Sequence, residues 1–209
     1  AGAWSPFLLQ ACSVRLPQLT VKASVARTAA VPPIFNGNAS GSQIAFRRRL
    51  DGGYTVAATD RLEILPSAHH LRYLREFLPL MKLSMGKLKL RLPGLHASAD
   101  YTRHRVLDPI PSPATVKRIA DRLVDRLPQF RGIALVESWA GMIDALPDVV
   151  PVLDGVASID GLWIATGFSG HGFGIGPAAG KIMAELIQNN AVEYDLSRFR
   201  LSRFSDGSK

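Results

Sequence analysis

Leu162-Trp163-Ile164-Ala165-Thr166-Gly167-Phe168-Ser169-Gly170-His171-Gly172-Phe173-Gly174-Ile175-Gly176-Pro177-Ala178-Ala179-Gly180-Lys181 is the stretch on which the reading of this chain turns. Its apolar start, residues 162–165, reads as a buried strand. Glycines then stand at 167, 170, 172, 174 and 176, and a helix is expected from Pro177 to Asn189, with proline in its first turn. Glycine lets a backbone approach a ligand with no Cβ in the way. The free N–H groups of a helix start carry the positive end of the helix dipole. Together they suit a planar ligand that accepts electrons and becomes anionic. The other reading is glycines that simply pack a helix against a strand. A Walker loop is excluded, because Lys181 follows Gly180 inside the helix. A dinucleotide fingerprint is excluded too, since no acidic ribose ligand follows a second strand.

Upstream, Ser112-Pro113 opens a helix to about Leu127, with Val116, Ile119, Ala120, Leu123 and Leu127 as its apolar stripe. Pro128 ends it, and Gly132 to Ser138 reads as a short strand. Nearer the start, Leu19 to Ala26 alternates as a strand, and Pro32-Pro33 and Asn36-Gly37 break the chain. Ile44 to Leu50, Asp51-Gly52-Gly53 and Tyr54 to Ala58 form a predicted β-hairpin. Ser67 is the expected cap of a helix over Ala68 to Leu78, and Lys87 to Leu92 alternates as a strand with one basic, solvated face. The first residues, Ala1 to Pro6, read as a loop entering a short helix, and Ser202 to Lys209 as a loose polar tail.

The bulk numbers set limits. A chain of 209 residues, 47% hydrophobic and 20% charged, can bury a sizeable core. No apolar run reaches the length of a membrane span, so a cytoplasmic location is the expectation. Cys12 is the single cysteine, which excludes an internal disulfide and a cysteine-rich metal site; among Leu8, Leu9, Val14 and Leu16 it reads as a buried small hydrophobe. No metal site is expected. The net charge of +8 comes from clusters at Arg47-Arg48-Arg49, at Lys82, Lys87, Lys89 and Arg91, and at Arg198, Arg200 and Arg203. These are dispersed, and an aromatic content of 8% argues against a stacking platform for nucleic acid. A solvated basic surface that favours anionic ligands, carboxylates included, is the better reading.

Residues 161–181 strongly resemble the C-terminal flavin loop of the D-amino-acid oxidase, sarcosine oxidase and glycine oxidase superfamily. Two further blocks match in the right order. Trp139-Ala140-Gly141-Met142-Ile143-Asp144-Ala145-Leu146-Pro147-Asp148, followed by Val150-Pro151-Val152-Leu153, resembles its W-x-G-x-x-x-x-x-P-D block. Ala1-Gly2-Ala3-Trp4-Ser5 looks like the turn that ends its N-terminal flavin-binding segment. The resemblance covers nearly the whole chain. It implies an α+β fold: a mixed, mostly antiparallel sheet of the FAD-linked-reductase C-terminal type with helices, plus a partial FAD-binding domain. Residues 1–16 would end the FAD-binding segment, 17–138 would form the substrate domain, and 139–209 would be the C-terminal FAD-binding segment and tail.

The same resemblance implies an FAD-dependent oxidoreductase that oxidises the C–N bond of an amine or amino acid to an imine. Gly170, His171, Gly172, Phe173, Gly174 and Ile175 would line the flavin, and Gly2 and Trp4 would touch it from the other flank. His171 also reads as a satisfied loop histidine with no catalytic part. No catalytic residue is assigned, because a neutral amine and a well-placed flavin suffice in this family.

The chain departs from the pattern in three places. It has no G-x-G-x-x-G turn with its acidic partner, which implies a fragment, a truncated gene product or one part of a split enzyme with a separate N-terminal flavin-binding chain. The position where relatives often carry a carboxylate-binding arginine is Ile143, which leaves Arg47, Arg48, Arg49, Arg103 and Arg105 as substitutes. The position of a covalent flavin–cysteine link in some relatives matches Gly141, so any FAD is expected to be non-covalent. Two further readings stand beside this one: a non-catalytic remnant or partner subunit, and a basic nucleic-acid-binding module whose affinity would fall steeply with salt.

Overall fold

The long strand β1 (Leu19–Thr28) organises the molecule, a computed structural model that describes residues 2–59, 62–64, 73, 75–78, 88–90, 106 and 108–206. One edge of β1 pairs over its whole length with β7 (Leu135–Ala145). Its other edge is shared, pairing with β4 (Tyr54–Ala58) through Val25 to Arg27 and with β5 (Leu62–Ile64) through Val21 and Lys22. Beyond β4 lie β3 (Ile44–Arg48) and β2 (Asn38–Ser40); beyond β5 lies β6 (Leu88–Leu90), in the one parallel pairing among the described residues. The sheet is mixed and mostly antiparallel, as expected.

Burial along β1 explains its sequence. Leu19 and Val21 are buried, and then the phase switches to Lys22, Ser24, Ala26 and Thr28. A strand alternates faces at every residue, so the switch means that its two halves are covered from opposite sides. Leu19 and Val21 pack with Ile64, Tyr73 and Phe77, while Ala26 joins Tyr54, Val56, Ile119, Leu123 and Phe130 beneath helix α2 (Pro113–Arg126). Helix α2 runs as the sequence predicts, with Ile119 and Leu123 in the core. Thr115 is buried beside them because its hydroxyl donates to Glu63 Oε1 at 3.0 Å. Lys22 Nζ lies 3.3 Å from Glu63 Oε2 and donates to the Ile110 carbonyl at 3.1 Å, which makes a charged residue tolerable there.

The hairpin forms around Asp51-Gly52-Gly53 for a local reason. Gly52 has φ +82°, and a Cβ on Gly53 would lie 2.5 Å from the Thr28 carbonyl oxygen. Asp51 Oδ1 accepts from the Gly53 N–H at 3.0 Å, closing the turn.

A second, smaller unit follows. β8 (Val152–Gly155) and β9 (Trp163–Thr166) pair antiparallel, and α3 (Gly172–Ile187) packs on them through Ala179, Ile182 and Met183 against Leu153. Helix α1 (Ser5–Ala11), entered through a turn at Gly2–Trp4, packs Leu9 against Leu146, Val152 and Ile164.

Several expectations need correction. β7 is one unbroken strand that continues through Trp139 and Gly141 to Ala145, where a strand ending at Ser138 was expected; antiparallel pairing with ten residues of β1 holds it extended. The division expected between residues 138 and 139 therefore falls inside a strand. Cys12 is exposed, because α1 buries its Ser5, Pro6 and Leu9 face and Cys12 stands past the helix end. The tail is anchored: Ser202–Phe204 forms a turn, and the buried Arg203 guanidinium donates to both Asp148 oxygens, at 2.7 and 3.2 Å, and to the Val150 carbonyl at 2.6 Å. Arg203 therefore leaves the solvated basic surface, and Arg48 is also drawn inward, its guanidinium over the Tyr54 ring at 4.9 Å. The helix expected over Ala68 to Leu78, its Ser67 cap and the basic face of Lys87 to Leu92 fall largely outside the described residues, which show helix at 75–78 and the backbone of β6.

Candidate functional site

The glycine-rich segment turns sharply where β9 ends. Thr166 and Gly167 are buried, and Gly167 has φ +76°. A Cβ at Gly167 would sit 2.1 Å from Leu146 Cδ1, inside a fully buried leucine, so only glycine fits. Ser169 and Gly170 continue with φ +53° and +85°, and the His171 N–H donates to the Phe168 carbonyl at 2.8 Å to close the turn. The His171 carbonyl then accepts from the N–H groups of Gly174 and Ile175, at 3.0 and 3.3 Å, and α3 begins.

The helix thus starts at Gly172, five residues before the expected Pro177, which lies inside it. The reason is local: once the His171 carbonyl takes two amide donors, the following glycines have no side chain to resist helical φ and ψ, whatever their weak intrinsic preference. Of the expected flavin-lining residues, Gly170 and His171 lie in the turn, while Gly172, Phe173, Gly174 and Ile175 form the first helical turn. All but the half-buried Gly172 are exposed, and Phe173 is fully so.

This first turn offers what a ring gaining negative charge requires. The N–H groups of Gly170, Gly172 and Phe173 make no backbone hydrogen bond among the described residues. Nothing lies within 4 Å of where a Cβ would stand on Gly174 or Gly176. Open donors at the positive end of a sixteen-residue helix, beside a backbone cleared of side chains, fit the pyrimidine edge of an isoalloxazine. A flavin ring fits this geometry. The binding of its ADP portion finds no counterpart among the described residues.

Gly2 and Trp4 lie on the stretch that enters α1. Gly2 has φ +54°, its carbonyl accepts from Gln18 Nε2 at 3.0 Å, and Trp4 meets Phe7 edge to face at 5.8 Å. The next residue, Ser5, lies 2.7 Å (Oγ to Oγ1) from Thr166. The structure therefore brings the N-terminal stretch to the foot of the glycine turn.

Ile143 sits against the turn, its Cδ1 3.7 Å from where a Gly170 Cβ would stand. From there the sheet face opposite α2 continues through the paired Ala23 and Gly141 to a row of Trp139, Val25, Ala57 and Ala45. Trp139 and Gly141 are exposed on it and the others half-buried, so this face is open.

The candidate carboxylate ligands do not gather at the turn beside Ile143. Arg48 donates to the Val31 carbonyl, and Arg49 pairs with Asp51 at 3.0 Å. Arg47 pairs with Thr55, in the row of Arg27 and Glu137. That row lies six residues along β7 from Ile143, about 20 Å at ~3.3 Å per residue, beyond an arginine's reach. Arg103 and Arg105 lie outside the described residues. His171 caps α3 and is exposed.

Sequence reasoning assigned no role to Asp144, which the structure places at the centre of the turn. Its Oδ2 accepts from the Gly167 N–H at 2.8 Å and its carbonyl from the Ser169 N–H at 3.0 Å. A carboxylate three residues after the block's glycine was a visible signal, but only the fold shows what it meets.

Comparison with known proteins bears on the same region. The model of the FAD dependent oxidoreductase family, DAO, matches residues 1–186. The chain is similar to peroxisomal sarcosine oxidase of Homo sapiens, 41% identical over 86 residues, which are 41% of this chain and 21% of that protein. It is similar to glycine oxidase of Pseudomonas aeruginosa, 27% identical over 113 residues, 54% of this chain and 31% of that protein. Among solved structures, L-amino acid deaminase from Proteus vulgaris superposes with a TM-score of 0.86 at 23% identity, over 98% of this chain and 50% of that one. Glycine oxidase from Geobacillus kaustophilus gives 0.70 at 19%, over 97% and 44%. At these identities the superpositions speak for the fold. The chain spans about half the length of these structures.

Proposed function

The chain belongs to the FAD dependent oxidoreductase family, and from that premise we propose that it forms the flavin-facing and substrate-side half of an amine or amino-acid oxidoreductase. The reaction is oxidation of the C–N bond of a small-molecule amine or amino acid to an imine. The observation that carries the reading is the start of α3, where the amides of Gly170, Gly172 and Phe173 make no backbone hydrogen bond among the described residues and nothing lies within 4 Å of where a Cβ would stand on Gly174 or Gly176.

When bound, FAD supplies the two-electron acceptor. The chain's own residues orient the ring: Gly170, His171, Gly172, Phe173, Gly174 and Ile175 on one flank, Gly2 and Trp4 on the other. The helix start stabilises negative charge on the reduced ring. The open sheet face of Ala23, Val25, Ala57 and Gly141 excludes water from one side of the substrate. The attachment is non-covalent, since Gly141 offers no nucleophile at the position expected for a covalent link.

A polypeptide that holds the ADP part of FAD completes the site, as a separate chain or as a further region of the same protein. Residues 1–16 and the part of the chain that follows β7 are the parts that meet it, and the sheet of β1 to β7 forms the substrate side. Support comes from α3, where Phe173, Pro177, Gly180, Ala184 and Ile187 form an exposed apolar stripe at helical spacing. An apolar stripe of that kind marks a surface that other protein covers.

The test is to express the chain with a dinucleotide-binding region from the adjoining reading frame and to look for retained flavin. Anaerobic addition of amines and amino acids should then bleach the visible flavin band. Failure to retain flavin with that region present and folded would sink the proposal.

A further inference from the structure

We infer that Asp144 is the positioning residue of the glycine turn, holding both flavin-facing stretches in register; the inference rests on the flavin reading above. Asp144 grips the turn at two points, through its carboxylate at the Gly167 N–H (2.8 Å) and its carbonyl at the Ser169 N–H (3.0 Å). The same Oδ2 lies 3.4 Å from Thr166 Oγ1, which in turn lies 2.7 Å from Ser5 Oγ. An ionised carboxylate can only accept, so the Thr166 hydroxyl donates to Asp144 and the Ser5 hydroxyl donates to Thr166. The direction of the whole chain is set by Asp144.

The three segments joined in this way are far apart in sequence. Ser5 begins α1 directly after Gly2–Trp4; Thr166 ends β9; Asp144 lies near the end of β7, fixed by pairing with Thr20. Ser5 and Thr166 are buried, where a directed hydrogen bond is worth more than at the surface. Bonds from a backbone N–H to a charged oxygen are among the stronger kind. The turn needs such a hold, because Gly167, Ser169 and Gly170 all have positive φ, and a glycine-rich segment otherwise samples many conformations. With the hold in place, the turn that carries the unbonded amides of Gly170, Gly172 and Phe173 is set before any ligand arrives.

The experiment reads amide hydrogen exchange at Gly167 in the chain without flavin, and FAD affinity in the chain joined by its dinucleotide-binding region. Asp144→Ala is expected to speed exchange at Gly167 by at least about tenfold and to weaken FAD by about tenfold, the scale of one lost charge-assisted hydrogen bond. Asp144→Asn keeps an oxygen that accepts from Gly167 and should hold both readouts within about threefold of the parent. Thr166→Val removes the hydroxyl that links Asp144 to Ser5 but keeps the bond from the Gly167 N–H to Asp144; it should leave Gly167 protection unchanged and weaken FAD by about threefold or more.

Wild-type exchange and affinity in Asp144→Ala would overturn the inference, as would an Asn variant as damaged as the Ala variant. If Asp144→Ala does not fold, unchanged FAD affinity in Thr166→Val overturns the link to residues 2–4. Because exchange is read without flavin, a parent chain that takes up no flavin even when joined by its folded dinucleotide-binding region refutes the proposed function, while the exchange result still judges the grip of Asp144.

Discussion

Helices α2 and α3 each carry apolar residues at helical spacing, yet they are finished differently. Beneath α2, Ile119 and Leu123 are buried against the sheet, and Phe130 beyond the helix meets Tyr54 edge to face at 5.2 Å. The outward face of α2 carries Lys117, Asp121, Arg122 and Asp125, so water completes it. Helix α3 buries Ala179, Ile182 and Met183 on two strands and turns Phe173, Pro177 and Ile187 outward. A two-stranded sheet is marginal by itself. The first region closes on itself; the second is built to be covered.

Two phenylalanines sharpen the contrast. Phe130 is almost wholly inaccessible, and Phe130→Ala should cost about 3–5 kcal/mol in urea unfolding of the chain. Equal stability of the parent and this variant would show that the α2 region is not the self-sufficient core. Gly167→Ala comes next. Positive φ and the collision with Leu146 should cost about 2–4 kcal/mol and loosen the turn, measured by the same unfolding. The α3 region depends on its anchor, and Arg203→Met should cost about 2–3 kcal/mol, less than a fully buried pair because Asp148 keeps some contact with water.

At the other end of the scale, Phe173→Ala should change the stability of the chain by no more than about 0.5 kcal/mol, the usual range for an exposed site. Its effect belongs in flavin retention and in pairing with the dinucleotide-binding region. A large loss of stability would place Phe173 in a core and erase the contrast.

The smallest effect expected is a pH dependence from beneath α2. Burial raises the pKa of Glu63, but hydrogen bonds from Ser112, Thr115 and Lys22 outweigh it, and the carboxyl sits below its ordinary range. A depressed carboxylate contributes stability that is fully present above its unfolded pKa and is lost as pH falls through the folded value. Stability of Glu63→Gln measured against pH should therefore fall less on the acid side than that of the parent. Parallel curves for the two would remove Glu63 from the account.

Much of the fold was legible because its signals are local. The hairpin followed from Asp51-Gly52-Gly53, where positive φ and the Asp51 carboxylate determine the turn. Helix α2 followed from apolar spacing after Ser112-Pro113. What was misread depended on distant partners. Cys12 looked buried from its neighbours in sequence, but which face of α1 turns inward is decided by Leu146, Val152 and Ile164. Arg203 looked like a solvated charge until Asp148 and the Val150 carbonyl met it across more than fifty residues. The length of β7 likewise depends on β1.

The amino-acid sequence by itself determined the family, the mixed sheet with its helices, and the glycine-rich turn leading into α3. Glycine spacing, apolar alternation and proline placement act through neighbouring backbone and need no distant contact. Only the tertiary structure decided that α3 begins at Gly172, that Asp144 holds the turn, and that Arg47 lies too far along the sheet to reach it. Those are facts of register and of hydrogen bonds between remote segments, set by how strands pair and not by what any one segment prefers.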